Sequence, residues 1–287
     1  MVVRPADLAE SAAALAAAGA DARIEVRGAG TAHDWAGRPE PADLVLDTTA
    51  LTGVITHNPG DMTVSVRAGT PLGLLNDELA AHGQRVAFDA ARIGLGATVG
   101  GLVATADAGP AALVHGSLRD LVIGSTVVLA DGTRARSGGH VIKNVAGYDL
   151  SKLLHGCYGT LALIAEVVLR LHPVPAAEAT VRLPCTLERA VIAARAVLES
   201  PLEPAALEWT DGALLVRLAG NASTVAARAG RMAELLGTDA EHLDTDAAAT
   251  VWEQHSRSVA GDGPSGAAGT SDPATGTAML RIGTRPS

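Results

Sequence analysis

Between Gly94 and Gly101 the chain places four glycines in eight residues, separated only by Leu95, Ala97, Thr98 and Val99. A segment this poor in side chains has two physical uses. It lets a neighbouring backbone pack close, or it lets main-chain N–H groups reach a ligand such as a diphosphate. A second bare bend, Gly28-Ala29-Gly30-Thr31, follows directly on the strand read over 23–27. Either bend alone is a weak signal. Two of them at separate places suit one long ligand with a central diphosphate better than either does singly.

Spacing removes the common nucleotide motifs. A G-x-G-x-x-G fingerprint starting at Gly28 needs glycine at 33, where the chain has His33, and Asp34-Trp35-Ala36-Gly37 does not open an apolar helix. No G-x-x-x-x-G-K-[ST] run exists either. The formal net charge of −9 argues against nucleic acid, which needs clustered Lys and Arg. Any bound phosphate must then be held by local N–H groups against the bulk field. No run of about 18 apolar residues calls for a membrane span, and the first ten residues lack the basic-then-apolar pattern of a signal peptide. The sequon Asn221-Ala222-Ser223 is read as chance, and the location as cytoplasmic. Cys157 and Cys185 are read as reduced thiols; with no C-x-x-C pair and no histidine at ligand spacing, no metal site is expected. Aromatic residues make up only 2% of the chain, so aliphatic side chains must fill the core.

Along the chain, the pattern predicts a helix over 5–19 opened by Pro5 and stopped by Gly19. Strands follow over 23–27 and 43–47, then a half-buried strand over 62–68 in which Met62, Val64, Val66 and Ala68 alternate with polar residues. A helix over 71–82 precedes the glycine-dense turn. Asp131-Gly132 marks a hairpin between strands at 121–130 and 133–137. A short helix covers 149–155. A long strand runs over 160–171 with Leu161, Leu163, Ala165, Val167, Leu169 and Leu171 on one face. Pro173 and Pro175 mark the domain boundary. Beyond it come a strand (179–183), a helix (187–198), two strands (206–210 and 213–219) and a helix (223–236). Residues 258–277, rich in Gly, Ala, Ser and Pro, read as a mobile loop, and 279–282 as the start of another strand. This gives a domain over 1–175 and a partial one over 176–287.

Two further segments carry polar groups at element ends. Gly116-Ser117-Leu118-Arg119-Asp120 places a hydroxyl and a carboxylate at a strand start, where they orient a ligand or merely cap. Lys143-Asn144-Val145-Ala146-Gly147-Tyr148-Asp149-Leu150 contains one of only two lysines; the other is Lys152. A cation there either stabilises a substrate carboxylate or a reduced ring, or sits on a solvated turn. Tyr148 is read as packing.

The four segments, in this order and spacing, resemble the FAD-binding domain of the vanillyl-alcohol oxidase or PCMH type, and within it the FAD-binding subunit of bacterial glycolate oxidase. The resemblance covers residues 20–175 strongly and the rest loosely. It implies an α+β fold: a PCMH-type domain of two α+β subdomains around extended FAD, followed by a partial α+β cap or substrate domain. By the same resemblance, Arg27, Gly28, Ala29, Gly30 and Thr31 form the first phosphate loop. Gly96, Ala97, Thr98, Val99, Gly100 and Gly101 form the second, with Ala104 and Gly159 beside the cofactor. Ser117 and Asp120 are placed near the flavin or ribityl chain, and Val167 near the adenine. Relatives that attach flavin covalently through the first loop carry His where this chain has Thr31, so FAD is expected to be noncovalent.

What the resemblance implies chemically is hydride transfer from a 2-hydroxy acid such as glycolate or D-lactate to the flavin, as a subunit of an oxidoreductase. A general base is required; His115, His140 and Lys143 are the candidate catalytic groups. A second flavoprotein subunit and an iron–sulfur subunit are the implied partners. The rival expectation is a flavin-bearing accessory subunit that relays electrons without turning over substrate. A third is a shortened relative that binds no flavin.

Overall fold

The computed structural model describes residues 1–33, 35, 37, 40–142 and 147–261. Strand β1 (Val2–Val3) precedes helix α1 (Leu8–Ala18), then β2 (Ile24–Arg27) and β3 (Leu44–Asp47). These three strands form a small parallel sheet in the order β1-β3-β2. Helix α1 starts at Leu8 because Asp7 caps it, accepting from the N–H groups of Ala9 and Glu10; Pro5 lies outside, and Gly19 at φ +85° ends it. Its Ala12 and Leu15 pack with Leu44 and Leu46.

The second layer contains β4 (Val54–Asn58), β5 (Thr63–Arg67), α2 (Leu72–Ala80), β6 (Gln84–Arg85), α3 (Val99–Thr105), α4 (Ala112–His115), α5 (Leu118–Leu121), β7 (Val122–Val128), β8 (Arg134–Gly138) and β9 (Leu163–Arg170). An antiparallel sheet runs β4-β5-β9-β7-β8. The β7–β8 turn has Gly132 at φ +83°, with Asp131 accepting from Thr133 N–H. Leu72, Leu75 and Leu79 of α2 and Leu102 of α3 close the core with Val64, Val66, Val167 and Leu169. Each fully buried side chain of this kind contributes about 1.5–3 kcal/mol.

Two strand expectations change. The strand at 63–67 is buried on both sides rather than half-buried, because it lies inside the sheet and its Thr63 and Ser65 are also covered. The six apolar residues expected on one face do not share it: Leu161 lies before β9 and is exposed, and Leu171 lies after it. The pairing with β7 skips Ala165, since Val127 pairs Ile164 and Thr126 pairs Glu166. That bulge flips the alternation. Leu163 and Ala165 therefore join the core beside β3, while Val167 and Leu169 join the core beside α2.

A two-residue ribbon joins β6 to β10 (His172–Pro173). The chain continues as β11 (Ala177–Pro184), α6 (Leu187–Glu199), β12 (Ala206–Thr210), β13 (Ala213–Gly220), α7 (Ala222–Leu236), β14 (Glu241–Leu243) and α8 (Thr245–Ala260). Its antiparallel sheet has the order β12-β13-β11-β14. One face packs on α6 and α7 through Leu214, Val216 and Leu218; the other places Leu215 against Trp252 of α8. Neither β14 nor α8 was expected from the sequence. The residues predicted as a loop from 258 onward begin inside α8, and 262–277 and the strand at 279–282 lie outside the described residues. Among the described residues, no helix is long and apolar enough to cross a membrane.

Candidate functional site

A cleft of about 450 Å³ opens between the parallel sheet and the large antiparallel layer. Strand β2 and the bend after it form one wall, from Ile24 through Thr31; α3 and the segment 158–164 form the other. The two glycine-rich bends meet here. A Cβ built on Gly28 would stand 2.5 Å from Thr98 Oγ1, so only a residue without a side chain allows this approach. Thr48 Oγ1 donates to the Arg27 carbonyl at 3.1 Å and fixes the start of the first bend.

The bends contribute differently. In the first, Gly30 sits at φ +73°. Among the described residues, the N–H groups of Ala29, Gly30 and Thr31 have no main-chain acceptor. Consecutive free N–H groups around a left-handed glycine suit an anion. In the second bend the amides are engaged. Gly96 N–H donates to Ile93, Ala97 to Arg92, Val99 to Thr70 and Gly100 to Ala68, while Gly101 N–H reaches Thr98 Oγ1. The expected glycine-dense turn is in fact a one-turn 3₁₀ segment (Ala91–Leu95) followed by α3, with Thr98 as its N-cap. Gly100 is bare for packing: a Cβ there would stand 2.7 Å from the Ala68 Cβ. The second bend thus supplies a smooth wall rather than a set of free donors.

Of the residues singled out in the sequence, Arg27, Gly28, Ala29, Gly30, Thr31, Thr98, Gly100, Gly101, Ala104 and Gly159 line the cleft. Gly96, Ala97 and Val99 do not line it; Ala97 and Val99 are buried in the core. Val167 is fully buried in the core and does not reach it. Ser117 and Asp120 form a capping box on α5, with Ser117 N–H donating to Asp120 Oδ2 at 2.9 Å. Asp120 faces a separate cavity of about 200 Å³ with Lys152 and Arg170. The histidine candidates also stand elsewhere. His140 Nδ1 lies 2.8 Å from Thr63 Oγ1 at the end of β5, and the His115 ring lies 4.5 Å from that of His172. Lys143 is outside the described residues. Tyr148 is 92% exposed, so it does not pack.

Several cleft residues carried no sequence signal. Tyr158 lines the cleft at φ +50°, a left-handed conformation costly for a tyrosine, held by its N–H bond to the Ala104 carbonyl at 2.8 Å. His33 lines it too, with Nδ1 3.7 Å from Glu25 Oε1. Glu25 also pairs with Arg27 at 2.7 Å. Arg92 donates from Nε to the Thr31 carbonyl at 2.9 Å and stacks 4.0 Å over the Trp35 ring. Burial lowers its pKa from the ordinary arginine value, with the nearby Asp107 carboxylate opposing. Counting Arg23, Arg27 and Arg92 against Glu25, Glu40 and Asp107, the lining arginines and carboxylates balance in a chain of net charge −9.

The sequence model of a family described as "FAD binding domain" matches residues 1–138, the part that carries both bends and the first wall. Residues 1–138, just under half of the chain, thus carry an FAD-binding domain of this family. FAD is the cofactor of the domain. Glycolate oxidase subunit GlcE of Escherichia coli is 35% identical over 218 residues, 76% of this chain and 59% of that subunit. D-lactate dehydrogenase of Archaeoglobus fulgidus is 35% identical over 174 residues, 60% of this chain and 39% of that enzyme. The FAD-binding chain thus spans about half the length of these relatives. Among solved structures, alkyldihydroxyacetonephosphate synthase superposes with a TM-score of 0.74 at 18% identity, covering 90% of this chain and 54% of that one. That likeness establishes the fold alone.

Proposed function

We propose that the cleft binds FAD noncovalently and that the chain serves a flavin-dependent oxidoreductase acting on a 2-hydroxy acid such as glycolate or D-lactate. The observation that carries this reading is the meeting of Gly28 with Thr98, which brings a bend with free amides against a bare wall. In this reading the N–H groups of Ala29, Gly30 and Thr31 hold the diphosphate. Gly28, Thr98, Gly101 and Ala104 form the surface along which the elongated molecule lies. The lining charges balance, so amide dipoles rather than a surplus of cations offset the phosphate charge. Once bound, the flavin supplies the hydride acceptor. Thr31 offers no imidazole for attachment, consistent with a noncovalent cofactor. Relatives named for glycolate and D-lactate oxidation support the substrate class.

A specific observation favours a second reading, that the chain carries flavin within an assembly without completing the chemistry itself. Neither His115 nor His140 lines the cleft. A proton acceptor for the substrate hydroxyl would then come from His33 or from a partner. The relative GlcE is named as a subunit. We place the chain in a cytoplasmic complex with a second flavoprotein subunit and an iron–sulfur subunit, held at the membrane, if at all, through those partners. Along the sequence, residues 1–175 form the cofactor domain and 176–287 a partial cap in this reading.

Anaerobic mixing with glycolate or D-lactate separates the alternatives. Bleaching of the flavin colour in the isolated chain supports a self-sufficient dehydrogenase. Colour that persists until partner subunits are added supports the accessory role, and a chain that never binds flavin rejects both.

A further inference from the structure

One residue touches both glycine-rich bends and α8. Arg92 lies on the 3₁₀ turn that leads into the second bend, and its carbonyl accepts from Ala97 N–H at 3.1 Å. Its side chain lines the cleft. Nε donates to the Thr31 carbonyl in the first bend at 2.9 Å, and Nη2 lies 3.4 Å from the Ala260 carbonyl at the end of α8. The guanidinium plane rests 4.0 Å over Trp35. Residues 61 and 168 positions away in sequence are thereby joined by one planar group.

We infer that Arg92 is a positioning residue that sets the first bend for FAD and couples occupancy of the cleft to the seating of α8. This rests on the FAD reading above. The reasoning is geometric. The Thr31 carbonyl ends the segment that carries the amides of Ala29, Gly30 and Thr31, so holding it ties down one end of that segment. The Ala260 carbonyl is one of the acceptors that α8 leaves without a helical partner, where a cation is favoured. α8 also packs against the Ala91–Leu95 turn itself. Two carbonyls held by one guanidinium cannot move independently. Lysine can reach one of them but lacks the planar fork and the stacking face that hold both. By linkage, whatever FAD contributes to the order of the first bend is passed to α8, and the seating of α8 contributes the same factor to FAD affinity.

The test uses the full chain as wild type, Arg92→Lys and Arg92→Met. FAD affinity is read from quenching of flavin fluorescence, and the order of α8 from amide hydrogen exchange over its last turn, with and without FAD. Wild type is expected to slow exchange at 257–261 by about fivefold or more when FAD is added. Arg92→Met is expected to bind FAD about tenfold more weakly and to show no such slowing. Arg92→Lys should keep affinity within about threefold and still lose the response of α8. A residue with a merely structural role would change exchange equally with and without FAD. Wild type that binds FAD with α8 unmoved overturns the coupling while leaving the FAD reading intact, and so does Arg92→Met behaving like wild type. Wild type that takes up no FAD overturns both.

Discussion

Thr98 Oγ1 occupies the space that a side chain on Gly28 would need, at 2.5 Å from an ideal Cβ position. Gly28 does not have a positive φ, so its glycine is required by this neighbour and not by backbone conformation. Thr98 cannot yield without cost, being 3% exposed with its hydroxyl accepting from Gly101 N–H at 3.2 Å. Gly28→Ala is therefore expected to push the two bends apart. Overpacking of this kind costs about 1–3 kcal/mol; where that cost falls on the bound geometry, it corresponds to a loss of FAD affinity of about 5- to 150-fold. Gly60→Ala, where an added Cβ meets nothing within 4 Å, should leave affinity unchanged. Titration of both variants by flavin fluorescence checks the pair.

Thr98 itself caps α3. Replacing it with alanine removes the oxygen that Gly101 N–H uses, at an expected cost of about 1 kcal/mol, while serine restores most of it. Alanine at 98 also vacates the space opposite Gly28. The double variant Gly28→Ala with Thr98→Ala should then lose less FAD affinity than the sum of the two single changes. Urea unfolding and the same titration measure both effects; strict additivity would rule out the steric account.

The elements that position the cleft were legible where local chemistry was strong. Gly19 ends α1 as expected, though Asp7 and not Pro5 opens it; Asp131-Gly132 turns the hairpin, and the two bare bends announce themselves by composition. What the sequence did not show was how amides are spent. Gly96 to Gly101 read as a loop with donors to offer, yet Thr98 caps a helix and turns those donors inward, a choice made by the nearby Ala68 and Thr70 carbonyls. Nearness in sequence to the bends is not nearness in space: neither His115 nor His140 lines the cleft, and His115, on α4, stands beside His172. α8 escaped notice because its buried side is thin, with Trp252 and His255 its buried residues. Its cap Asp244 and the Glu253–Arg257 pair, 2.6 Å apart, were the available signals. Arg92 had no signal at all, since its three partners come from distant parts of the chain.

Asp89 links the layer beneath the cleft to the C-terminal sheet. Its Oδ2 lies 3.2 Å from Arg217 Nη1, its Oδ1 accepts from Ala111 N–H at 2.8 Å, and Arg217 stacks 4.0 Å over Trp252. Both side chains are largely covered, at 18% and 29% exposure, so the pair is screened less than a surface bridge. Arg217→Met is expected to cost about 1–2 kcal/mol. A double-mutant cycle with Asp89→Asn should give a coupling of about 1 kcal/mol. Chemical denaturation of the four proteins supplies the cycle, and a coupling near zero would show that the contact does not hold the two parts together.

Acid should loosen the ribbon that joins those parts. Burial first, then His115, Arg170 and Arg85, lower the His172 pKa to about 4, and burial with Arg85 lowers that of His115. A lowered folded value means that the unfolded chain takes up the proton first as pH falls. The neutral rings are thus fully compatible with the fold above about pH 6.5, and stability declines as pH drops from there toward 4. After allowance for solvent screening the loss is of order 2 kcal/mol. Melting curves at pH 7 and pH 5 should show a drop in Tm for wild type and a smaller one for His172→Phe, which keeps a ring without a titrating nitrogen. Equal drops would remove His172 from the explanation.

The central claim is that the first bend and its bare wall grip FAD without a covalent bond. The most direct measurement is to saturate the purified chain with FAD, remove free ligand by gel filtration, record the visible spectrum, and then precipitate the protein with acid. The account predicts about one flavin per chain, retained through filtration and released to the supernatant by acid. A chain that emerges colourless contradicts the binding site, and flavin that stays with the precipitate contradicts noncovalent attachment.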